Sequence, residues 1–274
     1  MKEAMPEPGV AGVIGWPIKH SKSPLIHRFW LAKLGIDGDY SRFPVAPERL
    51  GDFIRALPAM GLRGVNVTIP HKVAVMDYLD AVEGQAQAIG AVNTVWLWPN
   101  GQIIGSNTDV EGIKGPAWHA IEGRHMLIVG NGGAARAAVA AANEAGAARI
   151  SIMARNHDSA GALLDIAQSP AQLLAWDAPL PDDVGLLFNA TSLGMAGQPP
   201  LSLDLSPLQD DAVVFDAVYA PLETGLLKAA RARGLDTIDG LQMLVGQAAL
   251  AFYMFFGVDA PRHHDAELRE LLTR

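Results

Sequence analysis

The sequence predicts an α/β protein of two domains, the first on a mostly parallel sheet and the second on a doubly wound one. Three observations predict it. Strand-like and helix-like segments alternate from Val10 to Ile89, a pattern that implies parallel strands covered by helices. Between His125 and Arg155, a strand, a glycine-rich turn, an Ala-rich helix and a second strand follow one another, which makes one βαβ unit of about 30 residues. The chain has 274 residues, half of them apolar, enough for one large core or two ordinary ones.

The elements follow in order. VAGVIG (10–15) reads as a strand, and a helix runs from about Pro24 to Leu34. DYSRFPV is a second strand, followed by a helix from Pro47 to about Leu57. In LRGVNVTI, Val65, Val67 and Ile69 alternate with Asn66 and Thr68, as a strand with two faces does. Two short helices are expected between His71 and Ile89. Next, Asn100-Gly101 sits between two β-rich runs, the strongest short hairpin signal. After Asp109 the texture changes to the βαβ unit, and GLLFNAT and DAVVFDAVY then fit buried parallel strands. Boundaries are expected near Asp109 and Gly240, and two C-terminal helices could pack on either part. LQMLVGQAALAFYMFFGV (241–258) is about long enough to span a bilayer. It contains Gln242 and Gln247 and precedes an amphipathic helix, so it is read as a buried helix and no membrane partner is expected.

Composition excludes several classes. The formal net charge is -8, and no basic cluster is present, so no nucleic-acid partner is expected. There is no Cys, which removes disulfides, thiol nucleophiles and Cys-ligated metals and suits the cytosol. MKEAMPEPGV lacks the apolar core of a signal peptide. His20 and His27 have no third ligand at a familiar spacing, so no metal is expected.

VGNGGAARA places Gly130, Gly132 and Gly133 directly after a strand and at the opening of a helix. Gly130 suits a tight turn, Gly132 lets the backbone approach a pyrophosphate, and small Ala135 allows close helix–strand packing. The helix N-terminus offers N–H groups and partial positive charge to phosphates. These features predict a dinucleotide site. At the end of the next strand, where an acid would bind the ribose 2′-hydroxyl of NAD, stands Arg155, which suits the 2′-phosphate of NADP. A surface Arg at a loop start is the plainer alternative.

In the first part, Ser23-Pro24 reads as an N-cap and first-turn pair. Ser21 and Ser23 at a helix start also suit a carboxylate. Ligands of parallel sheets bind beyond the carboxyl ends of the strands, where Asn66, Thr68 and Lys72 are expected. Asn93, Thr94, Asn107, Thr108 and Asp109 follow in the next polar turns. Lys72 and Asp109 are the acid–base candidates. Spacing alone also fits a solvated Lys72 and an N-capping Asp109.

Taken together, these motifs resemble the shikimate dehydrogenase family over nearly the whole chain. The resemblance rests on GxPIxHSxSPxxH (15–27), NVTIPHK (66–72), GAVNT (90–94), GxNTD (105–109) and GxGGAARA (130–137). It continues through NATSxGM (189–195), DxVYxPxxTxLL (216–227) and GxxMLVxQ (240–247). It implies an N-terminal substrate domain of 1–109 with 241–274, and a Rossmann-type NADP domain of 110–240. It implies reversible NADPH-dependent reduction of 3-dehydroshikimate in aromatic amino acid (chorismate) biosynthesis, in a cytoplasmic monomer or homodimer.

By the same resemblance, Lys72 and Asp109 are catalytic and also bind substrate. Ser21 and Ser23 hold the carboxylate, and Asn66, Thr68, Asn93 and Gln247 hold the ring hydroxyls. Tyr219 lies near both ligands. Gly130, Asn131, Gly132, Gly133, Ala134, Arg155, Thr191, Val218 and Gly240 serve the cofactor. The chain departs from the family at Arg28, where Asn is frequent, and at Ala154 and Ser159, where NADP-using members usually carry Asn and Arg. The last two bear on the strength of NADP selectivity. The rivals are an NAD-linked quinate/shikimate dehydrogenase and an inactive relative that senses a metabolite.

Overall fold

The computed structural model describes residues 9–274. The signal-peptide expectation rests mainly on residues 1–8 and so lies outside the described residues. The first elements are β1 (Gly9–Gly15), α1 (Ser23–Leu34), β2 (Gly38–Pro44), α2 (Leu50–Ala56) and β3 (Leu62–Val67). Then come β4 (Ala81–Val82), α3 (Gln85–Ile89), β5 (Thr94–Leu97) and β6 (Ile103–Ser106). Their strands form one sheet in the order β2-β1-β3-β5-β6-β4. β1 runs parallel to β2 and β3, while β5 is antiparallel to β3 and β6. The hairpin closes where expected: Trp98 N–H donates to the Gln102 carbonyl at 2.9 Å, and Gly101 takes φ 86°.

The chain continues through α4 (Asp109–Ile121), β7 (His125–Val129), α5 (Gly133–Ala145), β8 (Arg149–Met153), α6 (His157–Leu164) and β9 (Ala171–Leu174). It then runs through β10 (Val184–Asn189), β11 (Val213–Asp216), α7 (Gly225–Ala232) and β12 (Asp236–Ile238), and ends with α8 (Gly240–Phe256) and α9 (Asp265–Thr273). The second sheet has the order β12-β11-β10-β7-β8-β9, parallel throughout. The chain winds outward from β7 to β9, returns, and winds outward again from β10. That is the doubly wound topology, with its switch point between β7 and β10.

The short strands β4, β9 and β12 were not legible in sequence. Each is too brief to show a period, and each takes an edge position fixed by its neighbour. The candidate membrane segment is α8, and among the described residues no helix is long and apolar enough to cross a membrane.

The chain forms two compact units: residues up to Thr108 with Gln247–Arg274, and Asp109–Gly246. The second boundary falls inside α8, where the sequence placed it near Gly240. In the first unit, Ile14, Val65, Val67, Leu50, Ile54 and Leu57 form the core on one side of the sheet. Gly64 makes room for the end of α8: a Cβ there would stand 2.4 Å from the Val95 carbonyl oxygen and 2.6 Å from the Phe255 ring. In the second unit, every residue of α5 from Ala137 to Ala142, all Ala but Val139, is fully buried. Small side chains let a helix sit close to its sheet, which brings the start of α5 to the end of β7.

Candidate active site

In the first unit, the parallel strands β1 and β3 present their carboxyl ends at one sheet edge. β3 stops at Val67, and Thr68 and Lys72, both half-buried, lie in the turn beyond it. Thr68 N–H donates to the Ile14 carbonyl at 3.0 Å, and Val92 N–H donates to the Lys72 carbonyl at 2.8 Å. This ties the turn to β1 and to the loop before β5. Buried His71 adds a 2.7 Å contact from Nε2 to the Val45 carbonyl. A carbonyl only accepts, so Nε2 carries the hydrogen.

The start of α1 corrects one expectation. Ser23 is the first helical residue, and the preceding Lys22 already has α-type backbone angles with no side-chain cap. The hydroxyl serving the helix start is that of Ser21, which accepts from Ser23 N–H at 3.3 Å. The Ser21 hydroxyl also donates to Ser23 Oγ at 3.2 Å. The turn begins one residue early because Lys22 is itself helical, and the Ser23 side chain is thereby released from capping.

Asn66, Asn93 and Gln247 are buried polar side chains. Asn66 Nδ2 donates to Thr94 Oγ1 at 2.9 Å and to the Asn93 carbonyl at 3.3 Å. Asn93 Oδ1 accepts from Thr108 N–H at 2.7 Å and from the Thr94 hydroxyl at 3.0 Å. The Thr108 hydroxyl reaches Gln247 Oε1 at 3.4 Å, and Asn107 Nδ2 donates to the Ala91 carbonyl at 2.9 Å. Asn66, Asn93 and Gln247 thus belong to one network, and Ser21 and Ser23 form a directly bonded pair. Asp109, the first residue of α4 rather than a residue ahead of it, belongs with Tyr219 to the other compact unit.

Sequence reasoning did not single out Tyr40 or the supporting role of Thr94 and Thr108. Tyr40 reads as an ordinary core position of a strand, and only its hydroxyl, which donates to Asn66 Oδ1 at 2.7 Å, distinguishes it. His27 is no metal ligand candidate here: its ring is fully buried and stacked on Tyr40 at 4.0 Å. Burial lowers its pKa to about 3. Among the described residues, no cluster of His, Asp or Glu could hold a metal ion.

In the second unit, Gly130 has φ 111°, and a Cβ there would stand 2.9 Å from Thr191 Cγ2. Both facts favour glycine at this turn. A Cβ on Gly132 would meet nothing within 4 Å, so the backbone before α5 is open on that side. The helix start has no side-chain cap and no acid in its first turn, as a phosphate site requires. Asn131 Nδ2 donates to Ser159 Oγ at 2.6 Å, which links the glycine turn to the start of α6. Arg155 is exposed, with its guanidinium 5.4 Å from the centre of the Trp176 ring.

Thr191 is held by its hydroxyl to Asn189 Oδ1 at 2.7 Å, and Asn189 Nδ2 donates to Asp216 Oδ1 at 2.8 Å. Asp216 also accepts from Val218 N–H at 3.0 Å and from the Thr224 hydroxyl at 2.6 Å. Burial raises the pKa of this carboxyl above the usual range. Gly240 is required by crowding, since a Cβ there would stand 2.4 Å from the Ala217 carbonyl oxygen. A glycine turn with an open backbone, an uncapped helix start and Arg155 in place of an acid fit a phosphorylated dinucleotide.

Residues 13–95 match the family model described as the shikimate dehydrogenase substrate binding domain, and residues 240–266 match that of the shikimate 5'-dehydrogenase C-terminal domain. A protein of Sphingopyxis alaskensis named shikimate dehydrogenase (NADP(+)) is 54% identical over 267 residues, covering 96% of each chain. The chain belongs to the shikimate dehydrogenase family. Among solved structures, shikimate 5-dehydrogenase from Thermus thermophilus, in complex with NADP(H) and shikimate, is 33% identical with a TM-score of 0.85. The alignment covers 96% of this chain and 99% of that one. The 5-ketofructose reductase of Gluconobacter sp. strain CHM43 is 31% identical with a TM-score of 0.89, covering 97% and 99%. The same fold therefore occurs in enzymes named for different substrates, and the substrate has to be argued from site residues.

Proposed function

We propose that this chain is a shikimate dehydrogenase that reduces 3-dehydroshikimate to shikimate reversibly with NADPH, in aromatic amino acid (chorismate) biosynthesis. The observation that carries the reading is the 54% identity, over 96% of both chains, to a relative named for NADP-dependent shikimate dehydrogenation. The unit containing residues 13–95 is the substrate domain, and Asp109–Gly246 is the NADP domain. The family model matched at 13–95 supports the first assignment, and the open glycine turn of Gly130 to Gly133 supports the second. The enzyme works in the cytoplasm, as a monomer or homodimer, on a small molecule and not on nucleic acid. The absence of Cys supports the compartment, and the net charge of -8 supports the exclusion of nucleic acid.

When bound, NADPH supplies the hydride to the ring ketone. Lys72 holds a proton at the ketone oxygen and delivers it as the hydroxyl forms; in the reverse direction it takes that proton back. Asp109 hydrogen-bonds the same oxygen. Ser21 and Ser23 bind the substrate carboxylate, while Asn66, Thr68, Asn93 and Gln247 bind the ring hydroxyls, and Tyr219 completes the ligand contacts. Gly130, Asn131, Gly132, Gly133 and Ala134 cradle the pyrophosphate. Arg155 pairs with the 2′-phosphate, and Thr191, Val218 and Gly240 shape the rest of the cofactor site.

The test is an activity grid of NADP and NAD against shikimate and quinate. The expected result is strongest turnover for NADP with shikimate. Strongest turnover for NAD with quinate favours the quinate-linked rival, and no turnover in any cell favours an inactive sensing relative.

A further inference from the structure

Asn66 and Asn93 each carry an amide whose two ends match in shape but are opposite in hydrogen bonding. Which end meets a ligand decides whether the site takes a hydrogen or gives one. Main-chain groups, whose direction is unambiguous, settle both cases. The Asn93 carbonyl, which only accepts, receives Asn66 Nδ2 at 3.3 Å, and Thr94 Oγ1 receives the same nitrogen at 2.9 Å. Asn66 Oδ1 therefore faces the other way, where it accepts from the Tyr40 hydroxyl at 2.7 Å. For Asn93, Thr108 N–H, which only donates, meets Oδ1 at 2.7 Å, and the Thr94 hydroxyl adds a second bond at 3.0 Å. Asn66 is left with a second lone pair on Oδ1 to offer, and Asn93 with its NH2.

Tyr40 is built to keep this arrangement. Its side chain is fully buried. The His27 ring stacks on it at 4.0 Å and 6°, and Phe255 packs at 6.3 Å. Burial holds the phenol pKa well above its usual value, so the group stays a donor. Donors thus run from the Tyr40 hydroxyl to Asn66 Oδ1. From Asn66 Nδ2 they continue through Thr94 to Asn93.

We infer that Tyr40 is a positioning residue for substrate recognition: its hydroxyl locks the Asn66 amide so that Oδ1 accepts from a substrate hydroxyl, while the same network leaves Asn93 to donate to one. This rests on the assignment of Asn66 and Asn93 as substrate contacts. It adds the direction of each contact and a residue outside the ligand's reach that sets it.

A double-mutant cycle on the whole enzyme tests the inference. Tyr40→Phe keeps the ring and its stack on His27. It should raise the KM for shikimate about 5- to 10-fold, the worth of one neutral hydrogen bond, and leave the KM for NADP unchanged. Asn66→Ala should raise the shikimate KM at least as much, and Tyr40→Phe should add nothing in that background. Thr94→Val should act like Tyr40→Phe, and Thr94→Ser, which keeps the hydroxyl, should restore the parent value; this pair carries the test if Tyr40→Phe does not fold. A parent-like KM in Tyr40→Phe or Thr94→Val overturns the inference. So does a Tyr40→Phe effect that persists without the Asn66 side chain. If Asn66→Ala alone leaves the KM unchanged, it is the assignment of Asn66 as a contact that fails, and the inference falls with it.

Discussion

The two candidate sites are made of different material. In the first unit, recognition is assigned to side chains that are buried and tied to one another: Asn66, Asn93 and Gln247 are all buried, and the two asparagines have set amide directions. In the second unit, it is assigned to main chain and to a side chain that faces water: Gly132 and Arg155 are exposed, and Asn131, Gly133 and Ala134 are half-buried. The contrast follows from the ligands proposed. A small polyol ring is told from its relatives by where its hydroxyls donate and accept, and buried partners left unpaired by the wrong ring are costly. A dinucleotide offers phosphate charge, which backbone N–H groups and one guanidinium can meet without a preformed polar core.

The sharpest way to break the comparison is at Lys72, assigned to chemistry rather than recognition. Lys72→Ala should lower kcat by roughly 10² or more while shikimate affinity stays within a few-fold. Steady-state rates together with a direct binding isotherm check this, and a near-parent kcat would remove Lys72 from the mechanism.

Next in size is the exposed charge of the second unit. Arg155→Ala should weaken NADP about tenfold and barely change NAD, because only NADP carries the 2′-phosphate. The lower end of the worth of a charged hydrogen bond is expected, since Ser159, where a second Arg is frequent in the family, is engaged by Asn131. The ratio of kcat/KM for the two cofactors is the readout. An unchanged ratio would leave Arg155 as a surface residue beside Trp176.

Ser21→Ala, at a half-buried side chain, tests the first unit's side of the contrast. Among the described residues its hydroxyl bonds the side chain and the N–H of Ser23, and its loss should raise the shikimate KM several-fold, up to about tenfold, with a smaller fall in kcat. Remote contacts with a carboxylate bind ground state and transition state alike. A KM unchanged alongside a lowered melting temperature would make Ser21 a helix-start residue alone.

The smallest effect concerns stability. Burial lowers the pKa of His27 to about 3, below its unfolded value of about 6.5. Between those values the unfolded chain binds the extra proton, so stability falls as pH drops through that window and is insensitive to this group above it. From pH 8 to pH 6 the expected loss from His27 is about 1 kcal/mol. Neither ring nitrogen has a hydrogen-bond partner among the described residues, so His27→Phe should be tolerated at pH 8 and flatten the acid side of a denaturant-midpoint profile. A profile with the parent's slope would show that His27 does not titrate as argued. His125 of the second unit, its pKa lowered to about 4 by burial and then by the charge of Arg149, should leave a residual slope of the same sign.

The glycine turn, the Asn-Gly hairpin and the alternation of strands and helices were legible because each is local chemistry. Gly130 at φ 111° and Gly101 at φ 86° occupy backbone regions that few residues but glycine tolerate, so a turn is written in the residue itself. The polar residues at the end of β3 were legible too, since a strand that alternates and then stops at Pro70 leaves its last polar groups at a sheet edge. The capping role of Ser21 was not legible, because it depended on Lys22 adopting helical angles, which its side chain does not dictate.

By itself, then, the sequence determined the fold class, the family and the residue types gathered at each strand end, because periodicity and turn chemistry act over a few neighbours. The tertiary structure alone decided which atom of each residue is offered. Tyr40 meets Asn66 across 26 positions, and Thr108 meets Gln247 across 139. Gly64 is forced by an aromatic ring of α8 and by the carbonyl of a neighbouring strand. An amide has the same outline in both orientations, so no local pattern encodes its direction; only partners brought from distant segments into one buried network do.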